Sequence, residues 1–440
     1  MLLRFRVANH RSIRDPVELS LVRSTAKGVA PADGDWRGAT TRVAGIYGAN
    51  ASGKSTLLHA LNFASDAVQE SAWWGNEDRF PHHPYLLDNE NRHRPSSYEL
   101  DVVVAGVRYT YGFESTANGI QAEWLYSYPA RRRRMLFERS GEGDGQQFSF
   151  GRTLPGENIT ISKLVSATSL FLSTAANSNH PVLKPIHRGI SYGIRYARFD
   201  HFDRRERIDF SRQLLEDGKT FRRAETLLRF ADLGIVGIKL EHKEVDGGLR
   251  EFLQRISDAL PGTVAAEDKL ERVEEAVARL SKTITFAHGV ADDRGTLPSL
   301  TLEQESSGTV AWLSLAVPAL DVLRGGGVFL VDEIDASLHP RLTSALIGMF
   351  KDPVVNPSGA QLVFTSHDTA LMGNLLGGVF ESDEIWFTEK RADGVTELYA
   401  LAEFATRKGD NFERRYLQGR YGAVPMISAD ELRLAFADSE

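Results

Sequence analysis

The sequence contains no cysteine, and this absence excludes several kinds of site. Without a thiol among its 440 residues, the chain can form no disulfide, no thiolate metal centre and no cysteine nucleophile. No stretch approaches the roughly 18 apolar residues that a membrane-spanning helix needs, and the N-terminal segment holds no apolar run of the secretory kind. We therefore expect a protein without a membrane segment, working in a reducing cytoplasm.

An excess of positive charge is also missing. The chain carries 52 lysines and arginines against 59 acidic residues, which gives a net charge of −7. A surface for nucleic acid would therefore have to be a local patch. The basic run Arg131–Arg134 is interpreted either as a solvated turn or as a contact to a phosphate backbone. His82, His83 and His93 match no metal-binding spacing, so we expect them in a polar loop.

A glycine-rich segment provides the strongest functional signal. Residues 48–55 read GANASGKS, which matches the pattern GxxxxGK[ST] in full. An apolar strand over Thr41–Tyr47 precedes it and an amphipathic helix from about Ser55 follows, which is the context that a phosphate-binding loop requires. Backbone N–H groups and the helix N-terminus would hold the phosphates, and Lys54 would reach the β- and γ-phosphates. The nucleotide contacts expected here are Gly48, Asn50, Ser52, Gly53, Lys54, Ser55 and Thr56.

Two later apolar strands end in residues suited to hydrolysis. The strand Gly327–Val331 is followed by Asp332 and Glu333, which we expect to hold the Mg²⁺ shell and to act as general base toward water. The strand Gln361–Thr365 is followed by His367, which we expect to contact the γ-phosphate or the water. The predicted catalytic residues are therefore Lys54, Glu333 and His367, and the predicted metal ligands are Ser55 and Asp332.

The order of apolar patterns predicts an α/β protein with a split core. Alternating residues predict strands at 2–7 and 17–22 and antiparallel strands between 97 and 138. The region from about 155 to 285 is expected to be mainly helical, and strands alternate with helices again from 296. The candidate helices of the middle region are Arg204–Phe230, Leu249–Leu260 and Glu267–Lys282. We predict an N-terminal ATPase lobe over 1–150, a helical insertion over 151–290 and a C-terminal ATPase lobe over 291–440.

The last of these helices carries an apolar stripe at heptad spacing. Its members are Leu270, Val273, Val277 and Leu280. The stripe spans only about three turns, so it is interpreted as core packing or, alternatively, as the start of a coiled-coil arm.

The order of these motifs resembles ABC-type ATPase heads of the SMC and DNA-break-repair kind. Glu305–Thr309, read as ESSGT, ends shortly before Asp332 and looks like the ABC signature, with Ser306 and Gly308 in its serine and glycine positions. A helix N-cap is the alternative interpretation of this segment. The resemblance implies an ABC-type P-loop ATPase head, with a mixed sheet, an antiparallel subdomain and a mainly helical insertion. It also implies that the signature contacts the γ-phosphate of ATP held by another head, hence a homodimer or higher homo-oligomer.

The resemblance narrows to the OLD-like AAA/ABC ATPases. Residues 332–340, DEIDASLHP, resemble the DEIDxSLHP run of that family, with His339 where most ABC proteins carry the D-loop aspartate. The tail at 416–425, YLQGRYGAVP, resembles the ending of the RloA and AbiL branch of phage-defence ATPases.

The N-terminal strand carries the same resemblance. Residues 5–12, FRVANHRS, look like the opening strand of that family, which implies that Asn9, Arg11 and Ser12 lie near the nucleotide. The resemblance assigns no Q-loop glutamine, since the available Gln121 lies in a predicted strand.

Three functions compete, and the first is the one that this resemblance implies. The first is an Mg²⁺-dependent ATPase that binds ATP and serves as the sensor of a phage-defence system. Only 73 residues follow His367, which leads us to expect the effector, RloB-like or a nuclease, as a separately encoded partner. The alternatives are a DNA-repair or chromosome-maintenance head of the SMC kind, and an assembly platform that binds ATP with little turnover. Direct binding of nucleic acid stays open.

Overall fold

The computed structural model describes most of the chain. The residues described are 1–26, 31, 35–74, 79–141, 143–198, 200–231, 234–242, 247–259, 273–274, 277, 281–289, 297–407, 409–425 and 433. They form two compact units. The first unit consists of Met1–Tyr196, Val322–Asp335 and Thr343–Glu440, and the second of Ala197–Asp321 and Ala336–Leu342. The division at 150 and 290 drawn from the sequence stays a prediction.

The described residues form both strands and α-helices. The strands are β1 (Leu2–Ala8), β2 (Val17–Ser20), β3 (Val43–Tyr47), β4 (Ser96–Val104), β5 (Val107–Thr116), β6 (Gly119–Ser127), β7 (Arg134–Ser140), β8 (Gln147–Phe150), β9 (Ile194–Ala197), β10 (Ile235–His242), β11 (Lys282–His288), β12 (Ser299–Thr301), β13 (Val328–Val331), β14 (Gln361–Thr365), β15 (Ile385–Lys390) and β16 (Thr396–Ala400). The α-helices are α1 (Lys54–Glu70), α2 (Asn158–Ser162), α3 (Phe171–Asn177), α4 (Leu183–Ser191), α5 (His201–Leu214), α6 (Gly218–Phe230), α7 (Gly247–Ala259), α8 (Ser307–Gly325), α9 (Pro340–Lys351) and α10 (Phe412–Leu417).

A mixed sheet occupies the centre of the first unit. Within the described residues its order is β16-β15-β3-β14-β13-β9. β15, β3, β14 and β13 run parallel to one another, while β16 is antiparallel to β15. Every residue of β3, β13 and β14 is buried, as expected for central parallel strands covered on both faces. Because these strands are parallel, the segments that follow them meet at one edge of the sheet.

A second, antiparallel sheet belongs to the same unit. Its order in the described residues is β2-β1-β4-β5-β6-β7-β8, and antiparallel pairing of β4 with β5 and of β5 with β6 agrees with the antiparallel strands predicted between 97 and 138. Gln361 of β14 ties β1 to the mixed sheet, because its side chain accepts from Leu2 N at 2.8 Å and donates to Leu2 O at 2.9 Å. The core residues of α1 pack in one hydrophobic cluster with residues of both sheets. The predicted fold class, α/β with a mixed sheet plus an antiparallel subdomain, is confirmed.

The second unit differs in two ways from the helical insertion that the sequence predicts. The helix expected over Arg204–Phe230 is interrupted, because Asp217 caps the start of α6 by accepting a hydrogen bond from Thr220 N at 3.1 Å. An antiparallel sheet, β10-β11-β12, was not predicted. Its strands lie within a stretch whose helical pattern dominates, and alternating residues such as those of β11 give only a short local signal.

Two further expectations from the sequence concern the heptad stripe and a membrane-spanning helix. The heptad stripe over Glu267–Lys282 falls mostly outside the described residues, so core packing and a coiled-coil arm both remain predictions. None of the helices in the described ranges combines the length and the apolar character that a bilayer crossing needs.

Candidate functional site

The glycine-rich loop lies between the buried strand β3 and helix α1, as predicted. Gly53 has φ +109°, and a Cβ atom there would lie 2.2 Å from Thr396 Oγ1. A Cβ atom at Gly48 would lie 2.3 Å from the carbonyl oxygen of Thr388. No larger residue fits either position without moving β15 or β16, so the close approach of these strands fixes the loop conformation.

Lys54 lies at the start of α1 with its side chain buried against the loop. Its Nζ donates to the carbonyl oxygens of Gly48, at 2.9 Å, and Ala49, at 3.0 Å. Burial lowers the pKa of this ammonium group, while the carboxylates of Asp332 and Glu333 act in the opposite direction. The charge is therefore held beneath the loop, at the position from which a P-loop lysine reaches phosphate oxygens.

The predicted metal ligands lie side by side. Ser55 Oγ donates to Asp332 Oδ1 at 2.9 Å, and Thr365 Oγ1 donates to the same oxygen at 2.6 Å. A hydroxyl and a carboxylate are the hard oxygen ligands that Mg²⁺ takes from P-loop proteins, while water and substrate phosphates complete its shell. In the part of the chain that the structure describes, no group of three or more His, Asp or Glu side chains could form an all-protein metal cage. The donor set thus fits Mg²⁺ held together with a nucleotide.

Glu333 and His367 face the same pocket as the loop. The two side chains line a cavity of about 830 Å³ together with Lys54, Ser55 and other residues of the loop. Glu333 has φ +52°, a conformation uncommon for a residue with a side chain, and its N–H donates to Thr365 Oγ1 at 2.7 Å. The N–H of His367 donates to Asp335 Oδ1 at 3.3 Å. The ends of β13 and β14 are thereby joined at the edge of the sheet where the loop lies.

The N-terminal turn contributes two of its three predicted residues to this pocket. Arg11 and Ser12 line it, and Ser12 Oγ bonds to Thr56 Oγ1 at 3.3 Å and to Thr396 Oγ1 at 2.9 Å. Asn9 does not line it. The Asn9 side chain is buried and is used within the fold, since Nδ2 donates to the carbonyl oxygens of Asn91 and Arg94 and Oδ1 accepts from Tyr85 N.

A chain of hydrogen bonds connects Arg11 to the buried core. Arg11 Nη2 lies 2.7 Å from His59 Nε2, His59 Nδ1 lies 2.9 Å from His10 Nε2, and His10 Nδ1 lies 2.8 Å from Tyr98 Oη. A guanidinium can only donate, so His59 accepts at Nε2 and carries its proton on Nδ1. His10 in turn accepts at Nε2 and donates from Nδ1 to Tyr98. Burial lowers the pKa of His10 to about 2, which keeps it neutral, as this chain requires.

The signature segment belongs to the second unit. Ser306 is exposed and precedes α8, and its Oγ accepts from Thr309 N at 3.1 Å. This bond is the N-cap that the alternative interpretation anticipated, and it leaves the serine at the exposed start of a helix. A Cβ atom at Gly308 would lie 3.3 Å from the carbonyl oxygen of Ser337, so only a small residue fits there easily. His339 is exposed, and its Nδ1 accepts from Arg341 N at 3.2 Å.

Several residues of the site carry no sequence signal. Thr365 organises Asp332 and Glu333, Thr388 bonds to Ser52 at 2.7 Å, and Thr396 donates to the carbonyl oxygen of Ser52 at 2.8 Å. Lys390 also lines the pocket. Threonines are common in strands. These three come near the loop because strands that are far from it in the sequence lie close to it in the fold.

The remaining sequence candidates lie elsewhere. Gln121 bonds to Thr116 Oγ1 at 3.2 Å beside the β5–β6 turn and does not line the pocket. Arg131–Arg134 are exposed, and the guanidinium of Arg133 lies 3.8 Å from the ring centre of Tyr126. A role in nucleic-acid binding stays a prediction.

Comparisons with known proteins agree with the motif geometry. A family model described as "AAA domain, putative AbiEii toxin, Type IV TA system" matches residues 43–373, which is more than half of the chain. The chain belongs to this family. Its P-loop and the strands that follow are therefore those of a P-loop ATPase domain. No curated protein matches the chain.

Two solved structures resemble the chain at low similarity. One is an Smc head bound to the C-winged helix domain of ScpA, with 12% identity, a TM-score of 0.41 and coverage of 91% of this chain and 97% of that one. The other is an Smc head with an extended coiled coil bound to the C-terminal domain of ScpA, derived from Pyrococcus furiosus, with 13% identity, a TM-score of 0.36 and coverage of 91% and 96%. At TM-scores this low, neither likeness carries a conclusion about the activity or partners of this chain.

Proposed function

We propose that the chain is an Mg²⁺-dependent ATPase of the ABC type, whose heads pair around ATP. The observation that carries this proposal is the convergence of the loop lysine, Lys54, with the Ser55–Asp332 pair and with Glu333 and His367 around one pocket. A structural role alone would not require a lysine and a hydroxyl at the start of α1 to meet two carboxylates that follow β13 and a histidine that follows β14.

Each residue has a defined task in this proposal. Lys54 and the N–H groups at the start of α1 bind the phosphates. Ser55 and Asp332 hold Mg²⁺, which when bound supplies neutralising charge to the phosphates. Glu333 accepts a proton from the attacking water, and His367 orients the γ-phosphate or that water. Thr365 keeps Asp332 and Glu333 in register by bonding to both.

The exposed signature segment supports the proposed pairing of heads. Ser306 stands at the exposed start of α8 with its side chain capping the helix, and a helix N-terminus offers N–H groups to an anion. We propose that these groups contact the γ-phosphate of ATP bound by a second copy of the chain. The site would then be complete only in a homodimer or higher homo-oligomer.

Mixing two inactive variants tests this composite site. Lys54→Ala and Ser306→Arg should each hydrolyse ATP poorly, because one lacks the phosphate ligand and the other places a bulky cation at the opposite phosphate. In an equimolar mixture that exchanges partners freely, half of the dimers pair unlike chains and each holds one intact site. Phosphate release should therefore recover to about a quarter of the wild-type rate.

The mixture needs its own controls. Ser178→Arg, a substitution at an exposed serine outside the signature segment and outside the pocket, controls for the added charge, and exchange of subunits is followed with differently tagged chains. If tagged chains exchange and the mixture stays inactive, the site is completed within one chain and the pairing proposal is wrong.

A second prediction concerns the hydrogen-bond chain behind Arg11. The His59→Leu substitution removes the acceptor that orients Arg11, so ATP affinity should fall roughly tenfold. Calorimetric titration with a non-hydrolysable ATP analogue measures this change, and His93→Leu, at an exposed position, is the matched control. If Arg11→Ala weakens binding while His59→Leu does not, the chain through His59 has no part in positioning Arg11.

The biological setting is also a proposal. The matched family carries the description of an AbiEii toxin and a type IV toxin–antitoxin system, which supports a cytoplasmic sensor or regulatory ATPase in phage defence, acting with a separately encoded effector such as an RloB-like protein or a nuclease. The alternative is a DNA-repair or chromosome-maintenance ATPase. A phage-plating assay with this gene alone and together with its neighbouring gene discriminates the two. Protection that needs both genes supports the defence role, and sensitivity of a deletion strain to DNA damage without any protection supports the alternative.

A further inference from the structure

A second pocket adjoins the candidate nucleotide pocket in the first unit. It has a volume of about 450 Å³ and shares Arg11, Ser12 and Lys390 with the larger cavity. Its other walls are formed by residues 82–87 and by Gly394 in the turn between β15 and β16. A ligand that lies on the glycine-rich loop can therefore extend past these three shared residues into the smaller pocket.

The walls of this smaller pocket are mainly apolar or aromatic. The side chains of Leu86 and Leu87 are 58% and 75% exposed, and Pro84, Tyr85 and two histidine rings stand beside them. No acidic residue is among the described residues that line it. Exposed neighbouring leucines at the rim of a pocket favour a flat, apolar ligand surface.

The segment 82–87 is held in place from two sides. On one side, Arg11 N donates to His83 O at 2.7 Å, and Tyr85 N donates to Asn9 Oδ1 at 2.9 Å. On the other side, Tyr85 Oη donates to Asp393 O at 2.5 Å. The wall is thus preformed, and binding does not have to order it.

These bonds also limit what the segment can recognise. The carbonyl oxygen of His83 and the N–H of Tyr85 are already paired, and the carbonyl oxygen of Leu86 accepts from Arg92 Nε at 2.8 Å. These three main-chain groups are therefore occupied within the fold. The largest surface that the segment offers to a ligand is formed by its apolar and aromatic side chains.

We propose that this pocket binds the base of the nucleotide whose phosphates lie on residues 48–55, and that it holds a purine by its ring faces. The proposal rests on the proposed function, because it needs the phosphates on Lys54. A purine is favoured over a pyrimidine because its two rings bury more apolar surface against the same leucines. Because recognition in this proposal is through the ring faces and not through the base edge, adenine and guanine nucleotides should bind with affinities within about threefold of each other.

The test separates the base from the phosphates. Wild-type protein is titrated calorimetrically, in the presence of Mg²⁺, with non-hydrolysable ATP and GTP analogues and with inorganic tripolyphosphate. The double variant Leu86→Ser/Leu87→Ser should lose about tenfold in affinity for both nucleotides, since it removes apolar contact with the base. Its affinity for tripolyphosphate should not change. Leu375→Ser, at a leucine that is 93% exposed and outside both pockets, is the matched control.

Each result has a defined meaning. Equal losses for nucleotide and tripolyphosphate, no loss for the nucleotides, or the same loss in Leu375→Ser would overturn the base site. A guanine analogue that binds more than about tenfold more weakly than the adenine analogue would overturn recognition by ring faces. If thermal melting shows that the double variant is unfolded, Leu87→Ser alone replaces it, with a loss of about threefold expected.

Failure of the proposed function looks different. If Lys54→Ala binds tripolyphosphate as tightly as the wild type, the phosphate site itself is misassigned. If tripolyphosphate binding depends on Lys54 but nucleotide affinity is indifferent to Leu86 and Leu87, the phosphate site stands and the base site is wrong.

Discussion

The Lys54→Ala variant is expected to lose ATP hydrolysis by at least about a hundredfold and to bind ATP more weakly. The reason lies in where the positive charges of the pocket are. Arg11 and Lys390 also line it, but both are exposed and their charges are screened by solvent. Lys54 is buried against the loop carbonyls, where a charge acts on phosphate oxygens with little screening. No neighbouring group can replace it.

Phosphate release at saturating ATP measures this loss, and calorimetric titration measures the change in affinity. Lys163→Ala, at an exposed lysine outside the pocket, serves as the matched control and should hydrolyse ATP at the wild-type rate. Because the Lys54 ammonium is partly desolvated, its removal should not lower the melting temperature greatly. A folded Lys54→Ala protein with wild-type turnover would show that the phosphates are bound elsewhere.

The parts of the site that could be predicted are those encoded by short segments. The loop at 48–55 combines a contiguous motif with a strand before it and a helix after it, and both elements have nearly the predicted bounds. Asp332 and His367 each follow a run of buried apolar residues, β13 and β14. Parallel pairing of those strands with β3 then brings distant motifs together without further information.

The residues that could not be predicted act through long-range contacts. Thr396 bonds to Ser12 across 384 positions of the sequence, and Ser52 bonds to Thr388 across 336. A threonine in a strand has no pattern that distinguishes such a role from ordinary β-propensity. These contacts depend on the order of the mixed sheet, in which β15 lies beside β3 and β16 lies beside β15.

Asn9 shows how a resemblance can give the right region and a different role. Its motif was expected to lie near the nucleotide, and its neighbours Arg11 and Ser12 do line the pocket. Asn9 itself is buried and holds residues 85–95 through both ends of its amide. We propose that it supports the wall of the smaller pocket rather than touching the nucleotide. The backbone at this position has φ +53°, a left-handed conformation that asparagine tolerates better than most residues with a side chain.

The second unit departs from the sequence prediction for a local reason. A continuous helical pattern over Arg204–Phe230 concealed a break at Asp217, where a capping carboxylate followed by Gly218 starts a new helix. In the sequence, the Asp-Gly pair is the only local sign of this break, and the apolar periodicity on both sides of it indicates a continuous helix.

The Glu333→Gln variant is expected to bind ATP normally and to hydrolyse it about a hundred- to ten-thousandfold more slowly. Glutamine has the same shape as glutamate, so the left-handed backbone at this position and the bond from its N–H to Thr365 should persist. An amide cannot accept the proton of the attacking water, so only the chemical step is removed. Binding of a non-hydrolysable analogue should match that of the wild type, while phosphate release in a single turnover should be nearly absent. Glu70→Gln, at the exposed far end of α1, is the matched control.

This variant also distinguishes hydrolysis from head pairing. If ATP holds two heads together, blocking hydrolysis should trap them, and sedimentation with ATP and Mg²⁺ should give twice the mass found without nucleotide. Chelation of Mg²⁺ should reverse the change, because Ser55 and Asp332 then lose the ion that they hold with the phosphates. A slow variant whose mass is the same with and without ATP would leave Glu333 as the base and exclude ATP-driven pairing. A variant that hydrolyses ATP at the wild-type rate would instead assign the proton transfer to another residue, of which His367 is the nearest candidate by its place in the same pocket.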